Sequence, residues 1–180
     1  MNSEKNLKTR KPTRLTNFDY NSSGAYFITI CTQNRKNILS TIVGEGSPLP
    51  QLSRFGKIVD NFIQEIPTKY PNISVDCYVI MPNHIHLLLS ILNNNEETID
   101  NSGRGNPSPT ITNAIGWLKF QSTRSINTEQ NTPGEKIFQR SFYDHIIRNY
   151  DDYYEIYKYI QENPQKWQYD SLYKENNNFL

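Results

Sequence analysis

The run "ISVDCYVIMPNHIHLLLSI", residues 73–91, constrains this chain more than any other stretch. Both of its halves are short and rich in β-branched and apolar residues, and Pro82-Asn83 breaks them. That pattern predicts two strands, 73–81 and 84–91, on either side of a turn. A turn this short joins strands as an antiparallel hairpin or near-hairpin. The second strand carries His84 and His86, two of the three histidines in the chain. Strand side chains alternate, so both imidazoles project from one face, about 6–7 Å apart at Cα. Ile85, Leu87 and Leu89 face the other way, into a core, and Leu88 extends the histidine face.

The rest of the chain arranges itself around that hairpin. "GAYFITICTQ", 24–33, reads as a strand, and "NRKNILSTIVGEGSPLPQ" as a loop. Leu52, Phe55, Ile58, Val59, Phe62, Ile63 and Ile66 fall on one helical face, with Ser53 as a start signal and Pro67 as a stop. Residues 93–109 read as a long, polar, mobile loop. A second helix follows through Ile111, Ala114, Ile115 and Leu118. "KIFQRSFY", 136–143, is a fourth strand, and a third helix runs from about Asp151 to Glu162 before Pro164. The order predicts an α+β, ferredoxin-like βαββαβ antiparallel sheet. Its helices lie on one face, the other face is open to a ligand, and the C-terminal helix is an addition. The expected division is a basic arm, 1–19, one folded domain, 20–169, and a frayed tail, 170–180.

With 180 residues, the chain can build one domain with a substantial core. It contains no apolar run of the length that spans a bilayer, and "MNSEKNLKTRKPTRLTNF" lacks the apolar segment of a secretory signal. Cys31 and Cys77 sit in strand-like runs and read as reduced core thiols. A cytoplasmic protein is expected. Net charge is only +1, yet Lys5, Lys8, Arg10, Lys11 and Arg14 crowd the N-terminal arm. Such an arm can hold phosphates, or be a solvated tail.

Two imidazoles at i and i+2 of a strand can share one divalent metal, although two ligands need a third. "VIMPNHIHLLL" resembles the histidine–hydrophobic–histidine (HUH) motif of single-tyrosine transposases. The similarity is closest to the IS200-like and REP-associated tyrosine transposase families. It extends over roughly residues 10–169, through "RLTNFDYNSSGAYFITICTQNR" and "FQRSFYDHIIRNYDDYYEIYKYIQENPQKW".

The resemblance implies a catalytic tyrosine on the last helix, which carries Tyr150, Tyr153, Tyr154, Tyr157 and Tyr159. At about 100° per residue, Tyr153, Ile156, Tyr157 and Ile160 form the packing stripe. Tyr159 lies at its edge and Tyr154 on the opposite flank. "YIQENP" is similar to the family's Tyr-Ile-x-x-Asn-Pro segment, which implies Tyr159 as nucleophile and Asn163 as third metal ligand. Asn163 precedes Pro164, a position that disfavours helical geometry. His145 either approaches the site or buttresses the third helix.

The implied activity is metal-dependent cleavage and strand transfer of single-stranded, hairpin (REP-like) DNA through a 5′-phosphotyrosine. Mg²⁺ or Mn²⁺ is the expected cofactor, although the imidazoles would also accept Zn²⁺, Ni²⁺ or Co²⁺. No nucleotide cofactor and no membrane are expected. The oligomeric state is open between monomer and homodimer. Arg10, Lys11, Arg14, Lys119, Arg124, Arg140 and Arg148 are candidate phosphate contacts. Two rival readings stand beside this one: a non-catalytic module that binds single-stranded nucleic acid, and a metal-dependent nuclease that uses water.

Overall fold

The computed structural model describes residues 24–44, 50–92 and 111–174. The arm at 1–19 and the loop at 93–109 lie outside the described residues. In chain order come β1 (Gly24–Cys31), a short 3-10 turn (Gln33–Arg35), and the two-residue strands β2 (Ser40–Thr41) and β3 (Gln51–Leu52). Then follow α1 (Arg54–Lys69), β4 (Ile73–Ile80), β5 (His84–Ile91) and α2 (Ile111–Gln130). The described chain continues with β6 (Tyr143–Ile147), α3 (Tyr150–Glu162) and a second 3-10 segment, Asn163–Tyr169. Strands β4, β5, β1 and β6 form one sheet in that order, and every neighbouring pair is antiparallel.

The hairpin forms because Met81 N–H donates to His84 O across the Pro82-Asn83 turn, at 2.9 Å. Asn83 is fully buried and ties the turn to two other segments. Its backbone O accepts from Thr32 N–H, and its side-chain amide donates to Leu172 O. Helix α1 starts as the sequence indicates, with Ser53 Oγ accepting from Gly56 N–H at 3.1 Å. Pro67 does not stop the helix, which runs on to Lys69. In the last turn a proline forfeits only one bond, and Tyr70 N–H still closes on Ile66 O. Gly56 is required where it stands: a Cβ there would lie 2.0 Å from the Leu39 carbonyl oxygen.

The fourth strand falls later than 136–143. Residues 143–147 pair with β1, from Tyr143 opposite Thr29 to Ile147 opposite Ala25. The earlier stretch makes only an isolated bridge, Phe138 with Thr32, because Ile137 and Phe138 are drawn into the core as loop residues.

Helices α1 and α2 cover one face of the sheet. Val59, Ile63, Ile66, Ala114, Ile115 and Leu118 pack there against Tyr26, Ile28, Ile30, Ile85, Leu87 and Leu89. The opposite face is not open along its length. Ile160 and Trp167 seal part of it against Cys77, Val79, Met81 and Leu88, with Tyr153 and Ile156 at the margin. Ile160 is almost fully buried, and burying such a side chain contributes roughly 1.5–3 kcal/mol to docking α3. The helix that covers this face therefore also delivers its polar edge to the two histidines.

Candidate functional site

His84 and His86 stand on the face that α3 covers, and both are buried. Their ring centroids are 4.5 Å apart. Each ring is oriented through Nδ1. His84 Nδ1 lies 2.8 Å from Asn83 Oδ1, and Asn83 spends its amide N–H on Leu172 O. The carboxamide oxygen therefore accepts the His84 Nδ1–H, leaving the lone pair on His84 Nε2. That buried Nε2 has no partner among the described residues. His86 Nδ1 lies 2.9 Å from Thr29 Oγ1, the residue directly opposite it on β1. His86 Nε2 faces Tyr159 Oη at 3.3 Å.

Helix α3 begins at the Asn149 cap, whose side-chain oxygen accepts from Asp152 N–H at 2.8 Å. Docked through Ile160, it places Tyr159 over His86 and Phe27, with ring centroids 5.3 and 6.0 Å away. Asn163 keeps helical backbone angles, φ −55° and ψ −41°, although Pro164 follows. The chain can then turn through the 3-10 segment and bring Asp170 back beneath the helix end. Asp170 Oδ2 accepts from Asn163 Nδ2 at 2.7 Å and from Tyr159 Oη at 3.3 Å. Asp170 Oδ1 accepts from Leu172 N–H at 2.6 Å.

One nitrogen from each of His84 and His86 and one oxygen of Asp170 lie within 4.8 Å of one another, a cluster that could hold a metal ion. The donor set fits a divalent cation: two neutral imidazoles and a hard carboxylate. The unpartnered His84 Nε2 and Asn163 Oδ1 are the groups such an ion would satisfy. Each imidazole is also held by a hydrogen bond on its far nitrogen, as metal-binding histidines are.

Electrostatics keep the cluster ready for a cation. Burial, with the charge of Arg35, lowers the His84 pKa to about 3. Burial and His84 hold His86 well below the ordinary imidazole range, against an opposing pull from Asp170. Both rings are thus neutral at physiological pH. Burial, then the Asp170 charge and its hydrogen bond, push the Tyr159 phenol up to about 12.

The structure gathers His84, His86, Tyr159 and Asn163, and adds Asp170, which the sequence reading assigned to the tail. The only signal for Asp170 was a carboxylate soon after the tyrosine helix, and such carboxylates are common. Among the other tyrosines of α3, Tyr153 packs as expected, while Tyr157 is 39% exposed and does not. His145 binds Asp152 at 3.1 Å and so braces the start of α3. Arg10, Lys11 and Arg14 lie outside the described residues. Lys119 Nζ donates to the carbonyls of Gln139 and Arg140, so it holds the 136–142 loop. Arg140 lines an 890 Å³ cavity beside that loop, while Arg124 and Arg148 are exposed elsewhere.

A four-stranded antiparallel α+β domain with a buried histidine pair, a carboxylate and a tyrosine at one site defines the class of protein. No family model matches the chain. An uncharacterized protein of Haemophilus influenzae is 32% identical over 176 residues, covering 91% of this chain and 93% of its own length. A second Haemophilus influenzae protein, provisionally named a REP-associated tyrosine transposase, is 26% identical over 166 residues, 87% of this chain and 79% of that one. Among solved structures, a REP-associated tyrosine transposase bound to a REP hairpin superposes with a TM-score of 0.53 at 20% identity. That superposition covers 79% of this chain and 67% of the other, and it supports the fold. The chain is thus similar in sequence to a protein named for the REP-associated tyrosine transposases, and it shares the fold of a solved one. Among the described residues, no helix is long and apolar enough to cross a membrane.

Proposed function

We propose that the chain cleaves and rejoins single-stranded DNA, using Tyr159 as nucleophile beside a divalent cation. The observation that carries this reading is the Tyr159 hydroxyl, 3.3 Å from both His86 Nε2 and Asp170 Oδ2. The sheet order β4-β5-β1-β6 supports a ferredoxin-like βαββαβ frame, with α3 added as the nucleophile helix. A REP-like DNA hairpin is the proposed substrate, by analogy with the solved relative.

His84 Nε2, His86 Nε2 and an oxygen of Asp170 or Asn163 would hold the ion. A bound Mg²⁺ or Mn²⁺ supplies Lewis acidity to a phosphate oxygen and offsets the Asp170 charge that opposes phenolate formation. Tyr159 Oη attacks phosphorus in line; the bond to the 3′ oxygen breaks, leaving a 5′-phosphotyrosine and a free 3′-OH. The phenol proton leaves to water, Tyr159 being 43% exposed, and water supplies the proton of the new 3′-OH. A second 3′-OH reverses the step and transfers the strand without nucleotide hydrolysis. Phosphate contacts are proposed for Arg140 and for the basic arm at Arg10, Lys11 and Arg14.

The test is incubation with a 3′-extended hairpin oligonucleotide and Mn²⁺, followed by mass spectrometry of the DNA-linked peptide. The unsubstituted chain is expected to give an adduct on Tyr159, and Tyr159→Phe none. Free 5′-phosphate ends that persist in Tyr159→Phe would instead establish a water-using nuclease. Binding without cleavage by the unsubstituted chain would establish a non-catalytic module.

A further inference from the structure

Arg35 was not among the candidate DNA contacts, yet it stands at the site. It lines a cavity of about 470 Å³ together with His86, Tyr159, Cys31 and Tyr143, a volume suited to a small ligand or a single nucleotide. Its guanidinium makes no ion pair or hydrogen bond among the described residues, and its charge acts on Cys31 and His84. The backbone beneath it is unusual. Asn34 and Arg35 both adopt left-handed angles, φ 55° and φ 53°, a conformation costing of order 1 kcal/mol for each non-glycine residue. Hydrogen bonds hold the turn in place, among them Gln33 N–H to Ile137 O, Arg35 N–H to Thr32 O, Lys36 N–H to Gln33 O, Thr32 Oγ to Lys36 O and Lys174 Nζ to Asn34 O. A strained turn so braced, presenting to a cavity a cation unpaired among the described residues, is placed to receive an anion.

The same cavity lining offers an aromatic, Tyr143. Tyr143 pairs with Thr29 on β1, and Thr29 pairs with His86 on β5. The three side chains therefore form one row on one face. At the outer end of that row Tyr143 is 53% exposed, free to present its ring to the cavity.

We propose that Arg35 and Tyr143 form a nucleotide subsite next to Tyr159. Arg35 holds a phosphate oxygen of the bound single strand, and Tyr143 stacks on the adjoining base. The subsite rests on the reading of the chain as a single-strand DNA enzyme, and binding tests it separately from cleavage.

Affinity is measured by fluorescence anisotropy with the Tyr159→Phe protein, using oligonucleotides that carry one neutral methylphosphonate at successive positions. One position is expected to weaken binding about tenfold. Adding Arg35→Ala should weaken binding to the unmodified strand by a similar factor and abolish sensitivity at that position alone. Arg35→Lys should restore part of the affinity, which a purely structural role for the turn would not allow. Tyr143→Ala should weaken binding about tenfold and Tyr143→Phe should not; an abasic nucleotide at the adjoining position should erase the difference. Unchanged methylphosphonate sensitivity in Arg35→Ala would overturn the subsite while leaving the cleavage reading intact. No single-strand binding by the unsubstituted chain would overturn both.

Discussion

The two oxygens of Asp170 are engaged differently. Oδ1 is fixed by Leu172 N–H, whereas Oδ2 faces Asn163 Nδ2, Tyr159 Oη and the histidine pair. Asn163 thus presents its amide nitrogen to the carboxylate and orients Asp170 as the charged oxygen donor, with its own unpartnered Oδ1 as a weaker, neutral one. Asp170→Asn removes the charge and sets one amide against another. It is expected to weaken Mn²⁺ binding more than tenfold, while Asn163→Ala weakens it less, through a loosened Asp170. Isothermal titration with Mn²⁺ in the absence of DNA checks this, with far-UV circular dichroism as the control for folding. Equal Mn²⁺ affinity in Asp170→Asn and the unsubstituted chain would remove Asp170 from the ligand set.

Contacts between elements are also polar where the sheet meets α1. Tyr78 of β4 donates to Asp60 of α1 at 2.7 Å, and Gln64 Nε2 reaches Asp60 Oδ2 at 2.9 Å. Burial and Asp60 push the Tyr78 phenol up to about 12. A folded-state pKa above the unfolded value means stability that is complete below about pH 10 and lost as pH climbs through about 12. Tyr78 is partly solvated, so Tyr78→Phe should cost only about 1 kcal/mol at pH 8, with a smaller difference at pH 11. Urea midpoints at the two pH values check the sign; an equal difference at both would mean that the phenol–carboxylate bond does not contribute.

Elements of this kind were legible to different depths. The hairpin and its facing histidines follow from strict alternation, and α1 from its apolar stripe and its Ser53 cap. The last strand was misplaced because Ile137 and Phe138 look like strand residues, yet they are buried by a loop that Lys119 holds through two carbonyls. Pro67 read as a stop because its cost depends on which carbonyl it deprives, a detail of the last turn. The position of Asp170 depends on a 3-10 segment and on Asn83 reaching Leu172 O, contacts that no local pattern encodes.

At the scale of the whole molecule, the candidate cation site joins parts that are far apart in sequence. His84 and His86 come from the central hairpin, while Asp170 follows the helix docked on the outer face of the sheet. The unfolded chain cannot hold these groups together, so a cation that binds here binds the folded state. Linkage then adds RT ln(1 + [L]/Kd), about 2.7 kcal/mol at a hundredfold excess over Kd. For a chain of this size each kcal/mol raises Tm by about 2–4 °C, so saturating Mn²⁺ is expected to raise it by about 5–10 °C. Because a cation held there would tie Asp170, and through it the end of α3, to β5, hydrogen exchange in α3 should slow more than in α1, which lies on the other face. His84→Ala, compared with its own metal-free form, should lose most of the Mn²⁺-dependent shift in Tm. A shift of the same size in His84→Ala and the unsubstituted chain would mean that the ion stabilises the fold from some other place, leaving the buried imidazoles without a cation to share.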